Sequence, residues 1–285
     1  MAEHILTAEK LREILATTEK QKTEDIFILE RKIEPGADKG TNFSGEVAAI
    51  KITAKICDQM KKYHWFAKLP VDDPTSVAIT TATQSEHKEI RFYNHMIPAL
   101  KQFIADRNIE LNVAPFVYSE LYEDQTGNKN KKKPNILILE NLITADGCYR
   151  DPVNKMNGLS LDYTKVALDE IAKLHAVSYA YAKSLPGGVS NAGENLGNLA
   201  RDFIYTDPCQ FLKDLQLHDQ PENLAGMRNV LKVCQGPGQD LVGILNHFHE
   251  LNDIFESRNA CYKTDPSGFN VLCHGDPWFN NMLFQ

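Results

Sequence analysis

Residues 271–285 read VLCHGDPWFNNMLFQ, and this stretch decides the fold that we expect for the whole chain. An apolar run leads into His274 and Asp276, and an amide pair, Asn280 and Asn281, precedes a second apolar run. Apolar runs bounded by Gly, Pro and Asn are typical of short strands joined by a tight turn. The pattern therefore predicts a strand, a loop that carries polar side chains, and a second strand.

The polar residues of this loop have the spacing His-x-Asp-x-x-x-x-Asn, which is that of a kinase catalytic loop. In such a loop an Asp accepts the proton of the attacking hydroxyl group, and an Asn holds a magnesium ion. This chemistry requires a carboxylate beside the nucleophile and a neutral oxygen donor that faces the same cleft, and one short loop supplies both. A polar hairpin between two buried strands, without chemistry, is the alternative interpretation.

The fuller run HGDPWFNN, followed by MLF, resembles the ecdysteroid kinase-like family of arthropods, whose loop usually reads His-Gly-Asp-x-Trp-x-Asn-Asn. That family is related to choline kinases and aminoglycoside phosphotransferases. The resemblance implies that Asp276 is the catalytic base and that Asn281 is a magnesium ligand. It also implies that Trp278 and Asn280 shape the loop, and that ATP and Mg²⁺ are the cofactors.

The same resemblance implies an α+β, bilobal, protein-kinase-like fold. We expect an N-lobe with an antiparallel sheet and one long helix, followed by a mainly helical C-lobe. Kinases carry a second metal ligand, the Asp of an Asp-Phe-Gly-like motif, on the strand after the catalytic loop. The sequence ends at Gln285, before that strand. We therefore expect a fragment of a longer chain, with an incomplete C-lobe, no second magnesium ligand and impaired activity.

A glycine-rich loop is predicted between strands at residues 26–33 and 46–56, because apolar residues alternate with polar ones in the second segment. Glycines in such a loop let main-chain N–H groups approach phosphates. An ordinary hairpin loop is the alternative. The family has a similar Gly-x-Asn-aromatic-Ser stretch, which implies that Gly40, Asn42 and Ser44 contact the nucleotide.

Lys68 lies within the apolar run WFAKLP at residues 65–70. A lysine in such a run is disfavoured unless it has an anionic partner. The functional interpretation is the kinase lysine that binds the α and β phosphates, and the alternative is a lysine at the sheet edge that extends into solvent. A kinase also needs a Glu to hold this Lys. Glu89 matches the family's Glu-x-x-x-Tyr spacing, and Glu86 is the second choice.

The hinge between the lobes is expected near residue 141. A strand is predicted at residues 113–122, and the apolar residues 136–139 run into Glu140 and Leu142. This arrangement resembles the strand and hinge whose backbone groups hydrogen-bond adenine. The resemblance thus implies that Glu140 and Leu142 bind the cofactor. It divides the chain into a nucleotide-binding N-lobe, residues 1–140, and a partial C-lobe, residues 141–285, with the acceptor region and the catalytic loop.

Amphipathic helices are predicted by apolar residues recurring at helical spacing, three of them before residue 186 and another at residues 240–257. The first covers residues 7–20, with Thr7 as its N-cap. The second covers residues 84–100, where Pro98 is expected to bend or end it. The third covers residues 161–185. The inner stripe of the third helix comprises Ala167, Ile171, Leu174, Ser178, Tyr181 and Leu185.

Composition restricts the possible function classes. A formal net charge of −7 argues against nucleic acid as the main partner. The six cysteines are scattered without a Cys-x-x-Cys pair, which favours reduced thiols in the cytoplasm. There is no signal-peptide pattern and no apolar run long enough to span a bilayer. We therefore expect a cytoplasmic monomer whose partner is a small molecule, neither a membrane nor a nucleic acid.

The leading functional hypothesis is an ATP-dependent phosphotransferase that acts on a small-molecule hydroxyl, with an ecdysteroid-like alcohol favoured by the family resemblance. Two rivals are a choline- or aminoglycoside-type kinase and a non-catalytic ligand-binding protein. The enzyme rivals differ in the acceptor pocket, since a cationic acceptor requires acidic residues and a steroid requires apolar ones.

Overall fold

The computed structural model describes residues 2–36, 46–70, 73–74, 76–77, 80, 84–121, 134–143, 158–196, 225, 228–233, 236, 240, 242–243, 269–275, 277 and 281–284. These residues form a mixed structure of helices and one antiparallel sheet. The strands are β1 (Ile26–Pro35), β2 (Glu46–Ile56), β3 (Gln59–Leu69), β4 (Phe116–Glu120) and β5 (Ile136–Glu140). The α-helices are α1 (Ala2–Ile5), α2 (Ala8–Glu19), α3 (Ser85–Arg91), α4 (Ile97–Phe103), α5 (Leu161–Ser184) and α6 (Ala192–Asn195).

The five strands are arranged in the order β1-β2-β3-β5-β4, and every neighbouring pair is antiparallel. The prediction of an antiparallel sheet in the first half of the chain is therefore confirmed. β2 spans the predicted residues, whereas β3 begins at Gln59, six residues before the predicted run, and β4 is shorter than predicted. β3 extends further because a two-residue turn at Cys57 and Asp58, both with positive φ, joins it directly to β2.

One face of the sheet is covered by α1 and α2. Since successive residues of a strand point to opposite faces, alternate residues of the strands reach this core. α2 contributes Leu11, Ile14 and Leu15, all fully buried. From the sheet the buried residues of this core are Ile26, Ala48, Ile50, Ile52, Ala54, Ile56, Trp65, Ala67, Leu69, Ile136 and Ile138.

The N-terminus of α2 is capped as predicted. The Oγ1 of Thr7 accepts a hydrogen bond from the N–H of Lys10 at 3.1 Å. This bond satisfies one of the N–H groups that lack a partner in the first turn of a helix. At the other end of the helix, the side chain of Glu19 accepts hydrogen bonds from Lys61 and Tyr63 of β3. Both ends of α2 are therefore fixed, the second of them directly to the sheet.

A second core lies on the opposite face of the sheet, where Ile90 of α3 packs against Leu137 and Leu139 of β5. A third core joins α4 to α5. Its buried residues are Met96, Leu100, Ile104, Leu111, Leu174, Val177, Ala182, Ala192 and Leu196.

The helix predicted at residues 84–100 does not end at Pro98. It continues to Phe103, with a π-helical turn at Phe92–Met96 between α3 and α4. Proline lacks the N–H that an α-helix interior requires, and Pro98 lies two residues after the π-helical turn, where the regular α-helical hydrogen-bond pattern is already interrupted. Of the two outcomes expected at Pro98, a bend or an end of the helix, the end is wrong.

The strand predicted at residues 271–273 is likewise wrong, because these residues form neither a strand nor a bridge. The N–H of Leu272 instead donates to the side chain of Ser178 on α5, at 3.0 Å. Of residues 282–284, Phe284 forms an isolated bridge, and its ring packs on Tyr163 with centroids 4.7 Å apart. Among the helices that the structure describes, none is long and apolar enough to cross a bilayer.

Candidate active site

Lys68 lies near the end of β3, in the middle of the sheet. It pairs with Val47 of β2 on one side and with Leu137 of β5 on the other. Its neighbours in the strand, Ala67 and Leu69, are buried in the core under α2. The side chain of Lys68 therefore points to the opposite face, which it shares with Leu137 and helix α3.

Glu89 faces Lys68 from α3. The Lys68 Nζ and Glu89 Oε1 atoms are 2.5 Å apart, and the two side chains are 37% and 34% exposed. The helix is fixed in place by Ile90, which is 3% exposed and packs on β5. The structure thus brings together these two predicted site residues. Glu86, the second choice, instead accepts a hydrogen bond from Asn135 Nδ2 at 2.8 Å.

Tyr93 lies one helical turn after Glu89 and packs against the core of Ile90, Leu137 and Leu139. Burial, together with the negative charge of Glu89, raises the pKa of Tyr93. The phenol therefore stays neutral near pH 7 and adds no charge beside the ion pair. Glu89 remains the anionic partner of Lys68.

The end of β1 lies close to this face of the sheet. Gly36 donates its N–H to the carbonyl of Val47 at 2.9 Å. A Cβ atom at Gly36 would lie 2.9 Å from Cε2 of Phe66 and 3.1 Å from the backbone N of Ala48. A side chain at position 36 is therefore excluded by the Phe66 ring and by β2. The predicted loop residues Gly40, Asn42 and Ser44 lie outside the described residues.

The predicted hinge follows β5 directly. The N–H of Glu140 donates to the carbonyl of Pro115, and the N–H of Asn141 donates to the carbonyl of His64, both at 2.9 Å. The Oδ1 of Asn141 accepts from the N–H of Ile143 at 3.0 Å. These bonds occupy the first two hinge N–H groups. The N–H groups of Glu140 and Asn141 are therefore already used within the protein.

The segment that contains the predicted catalytic loop is described in part. His274 and Asn281 are exposed, whereas Asp276, Trp278 and Asn280 lie outside the described residues. Gly275 has a φ of +85°, and among the described residues, its two chain neighbours apart, no atom lies within 4 Å of a Cβ built on it. A glycine is thus favoured there by the left-handed backbone rather than by lack of space.

Sequence reasoning missed the residues that attach this segment to α5. Ser178 accepts the N–H of Leu272, and Asn270 Nδ2 donates to the carbonyl of Val189 at 3.3 Å. The rings of Phe269 and Tyr179 pack with centroids 4.7 Å apart. The signal that could have identified Ser178 was present, because it is a polar residue within the apolar stripe of α5.

Two described side chains have the chemistry that a magnesium nucleotide requires. Lys68 carries an ammonium group, of the type that pairs with phosphate oxygens, and Glu89 holds it on the sheet face. Asn281 carries an exposed amide, of the type that suits Mg²⁺. No group of three or more His, Cys, Asp or Glu residues that could hold a metal ion occurs in the described part of the chain.

Comparison with known proteins gives one match. The family model of the ecdysteroid kinase-like family matches residues 39–285, a range that includes Lys68, Glu89 and the loop at 274–281. No curated protein and no solved structure matches the chain. The match extends over most of the sequence, and the chain therefore belongs to the ecdysteroid kinase-like family.

Proposed function

We propose that this protein is an ATP-dependent phosphotransferase that acts on the hydroxyl group of a small molecule, with an ecdysteroid-like alcohol as the favoured acceptor. The observation that supports this proposal most strongly is the ion pair between Lys68 and Glu89. A lysine in the centre of an antiparallel sheet, held by a glutamate from the helix on the same face, is the arrangement that kinases use to bind nucleotide phosphates.

The N-terminal residues would bind and orient the nucleotide. Lys68 would contact the α and β phosphates, and Glu89 would keep its ammonium group in place. Gly40, Asn42 and Ser44 would cover the phosphates, and the backbone at Glu140 and Leu142 would contact the adenine. Bound ATP supplies the phosphoryl group, and Mg²⁺ neutralises the charge that develops during transfer.

The loop at residues 274–281 would act on the acceptor. Asp276 would orient the acceptor hydroxyl and accept its proton as the oxygen attacks the γ-phosphorus. The bond from that phosphorus to the β–γ bridging oxygen would break, with ADP as the leaving group, while Asn281 would hold the magnesium ion. No covalent bond between enzyme and substrate is required. Catalysis then depends on positioning and on neutralisation of charge.

In this proposal the chain has two lobes. Residues 1–140 form the nucleotide-binding lobe, and residues 141–285 contribute the acceptor region and the catalytic loop. The protein would act as a cytoplasmic monomer, with a small-molecule partner rather than a nucleic acid or a membrane.

The direct test is transfer of radiolabelled γ-phosphate from ATP, in the presence of Mg²⁺, to an ecdysteroid. Asp276→Asn should abolish transfer, because the amide cannot accept the hydroxyl proton. The matched control is Asp162→Asn, since the Asp162 side chain is 94% exposed at the start of α5. Transfer by Asp276→Asn at the wild-type rate would eliminate the proposed mechanism.

The class of acceptor is tested in the same assay by competition. A steroid alcohol needs an apolar pocket, whereas choline or an aminoglycoside needs an acidic one. Inhibition of ecdysteroid phosphorylation by excess choline or aminoglycoside, accompanied by phosphorylation of that competitor, would move the assignment to the cationic class. Binding of a steroid and of ATP without any transfer would instead identify a non-catalytic binding protein.

A further inference from the structure

We propose that Ser178 is a positioning residue for phosphoryl transfer, because its buried hydroxyl fixes the segment that leads into the loop at residues 274–281. This inference rests on the proposed function for its catalytic part. The attachment itself is a property of the fold and can be measured without any activity.

Ser178 lies in the interior of α5 and is 0% exposed. Its hydroxyl donates to the carbonyl of His175 at 3.0 Å and accepts the N–H of Leu272 at 3.0 Å. Both roles of the hydroxyl are therefore used at once. Serine in a helix interior is neutral to unfavourable for helix stability. The hydrogen bond to Leu272 therefore explains why a serine, and not an apolar residue, occupies this buried position.

Two further contacts attach the same segment, both of them before Leu272 in the chain. Asn270 Nδ2 donates to the carbonyl of Val189, in the turn that follows α5. Phe269 packs its ring on Tyr179, which is the residue after Ser178. The side chain of Leu272 packs against the core between α4 and α5. Of these contacts, the hydrogen bond between the Leu272 N–H and Ser178 is the one that holds the main chain nearest to the loop.

The distance along the chain is short. Asp276 lies four residues after Leu272, and four extended residues span at most about 14 Å. The left-handed backbone at Gly275 shortens this path further. Because so few residues separate the two, we expect a displacement of the Leu272 backbone to reach the predicted base. Misplacement of a reacting group by about 1 Å can lower a rate by roughly 100-fold.

Loss of the Ser178 hydroxyl should therefore lower kcat and leave nucleotide binding intact. Lys68 and Glu89 lie on the sheet, and neither contacts Ser178 through any hydrogen bond or ion pair that the described residues show. We expect Ser178→Ala to reduce kcat by about 10- to 100-fold, with the KM for ATP within about 2-fold of wild type.

The experiment combines two measurements on the full chain. The first is hydrogen–deuterium exchange of the peptide that covers residues 269–275, which reports the protection of the Leu272 amide. The second is ATP turnover in the presence of Mg²⁺ and an ecdysteroid, from which kcat and KM are separated. Both are made on wild type, Ser178→Ala, Ser178→Thr and Ser178→Val. Thr and Val have nearly the same shape, but only Thr has a hydroxyl. If Ser178→Ala does not fold, comparison of Ser178→Thr with Ser178→Val therefore serves as the test of the hydroxyl.

Ser184→Ala is the matched control. Ser184 lies on the same helix and makes the same type of bond, from its hydroxyl to the carbonyl of Tyr181 at 2.7 Å, but it is exposed. The control should leave exchange and kcat unchanged. If Ser184→Ala lowers kcat as much as Ser178→Ala does, general weakening of α5 explains both results and the proposal is overturned.

The expected result is faster exchange and lower kcat for the Ala and Val variants, with the Thr variant near wild type. Unchanged exchange in Ser178→Ala and Ser178→Val refutes the attachment, and faster exchange with unchanged kcat refutes the positioning role. A wild-type chain that transfers no phosphoryl group refutes the proposed function and the catalytic part of this inference together. In that case, the exchange comparison still decides whether Ser178 fixes the segment.

Discussion

Replacing Lys68 with Met should weaken ATP binding far more than it weakens the fold. The substitution keeps an unbranched stem and removes the ammonium group. Hydrogen bonds to charged groups contribute about 1.5–3 kcal/mol, so loss of this contact should raise the Kd for ATP by about 10- to 150-fold. The ion pair with Glu89 adds little to stability, because both side chains are about one-third exposed and water screens their charges. We expect the free energy of unfolding to fall by about 1 kcal/mol or less.

Lys61→Met is a control on the same strand. Lys61 is also ion-paired with a glutamate of a helix, Glu19 of α2, and has 39% of its side chain exposed. It lies seven residues before Lys68, so it points to the opposite face of the sheet. The two variants should therefore lose similar stability, while Lys61→Met should bind ATP as wild type does.

The assay is titration with a fluorescent ATP analogue in the presence of Mg²⁺, together with urea denaturation of the same samples. An unchanged Kd for Lys68→Met would contradict the assignment of this face as the nucleotide site. Equal weakening by Lys61→Met would show that the loss comes from a general effect on the sheet and not from the ammonium group.

Substitutions at three further positions test other parts of the structure. The hydrogen bond from Lys61 lowers the pKa of Glu19 below its ordinary value of 4.5, so its stabilising effect is present above that pH and is lost as the pH falls through the lowered pKa. Urea denaturation should therefore show Glu19→Gln less stable than wild type at pH 7, with a smaller difference between the two proteins at pH 3. Ile90→Ala should lower the free energy of unfolding by about 2–5 kcal/mol and also weaken ATP binding, because Glu89 would lose its support. Gly275→Ala should lower kcat, since a left-handed backbone costs a non-glycine residue about 1–2 kcal/mol, and Gly275→Asn should retain more activity because Asn tolerates this conformation.

Each of these expectations can fail independently. A stability difference for Glu19→Gln that is the same at pH 3 and pH 7 would contradict the lowered pKa. If a folded Ile90→Ala variant bound ATP with wild-type affinity, nucleotide binding would not depend on the packing of α3 against the sheet. Equal kcat values for Gly275→Ala and wild type would show that the loop does not need its left-handed residue.

The sheet could be predicted from the sequence because its signals are local. Alternation of apolar and polar residues in β2 indicated a strand with one buried face, and the structure has that strand at the predicted residues. The position of Lys68 in a run of apolar residues suggested an anionic partner, and the structure pairs it with Glu89. Its role in phosphate binding, and those of Glu140, Leu142 and Asn281, stay predictions. The sequence-based predictions for Gly40, Asn42, Ser44 and Asp276 fall outside the described residues.

Tertiary packing decided the features that residue type alone left open or that the sequence pattern predicted wrongly. Glu86 and Glu89 lie three residues apart and share a face of α3, so residue type alone left both open as partners of Lys68. Packing of Ile90 on β5 places Glu89 beside Lys68, where the two form an ion pair. Glu86 instead accepts a hydrogen bond from Asn135. The apolar run at 271–273 predicted a strand because periodicity does not distinguish a strand from an apolar segment that is attached to a helix. The hydrogen bond from the Leu272 N–H to Ser178 shows that this segment is attached to α5.

The π-helical turn at Phe92–Met96 has the effect of one residue inserted into an α-helix. It lets Ile90, before the turn, pack on the sheet while Leu100, after it, packs against α5. A deletion of one residue here would restore regular α-helix and rotate the downstream side chains by about 100° around the axis. One continuous helix could then no longer place Glu89 beside Lys68 and also pack against α5, which supports the loop at residues 274–281. The proposed site therefore depends on the number of residues between Ile90 and Leu100.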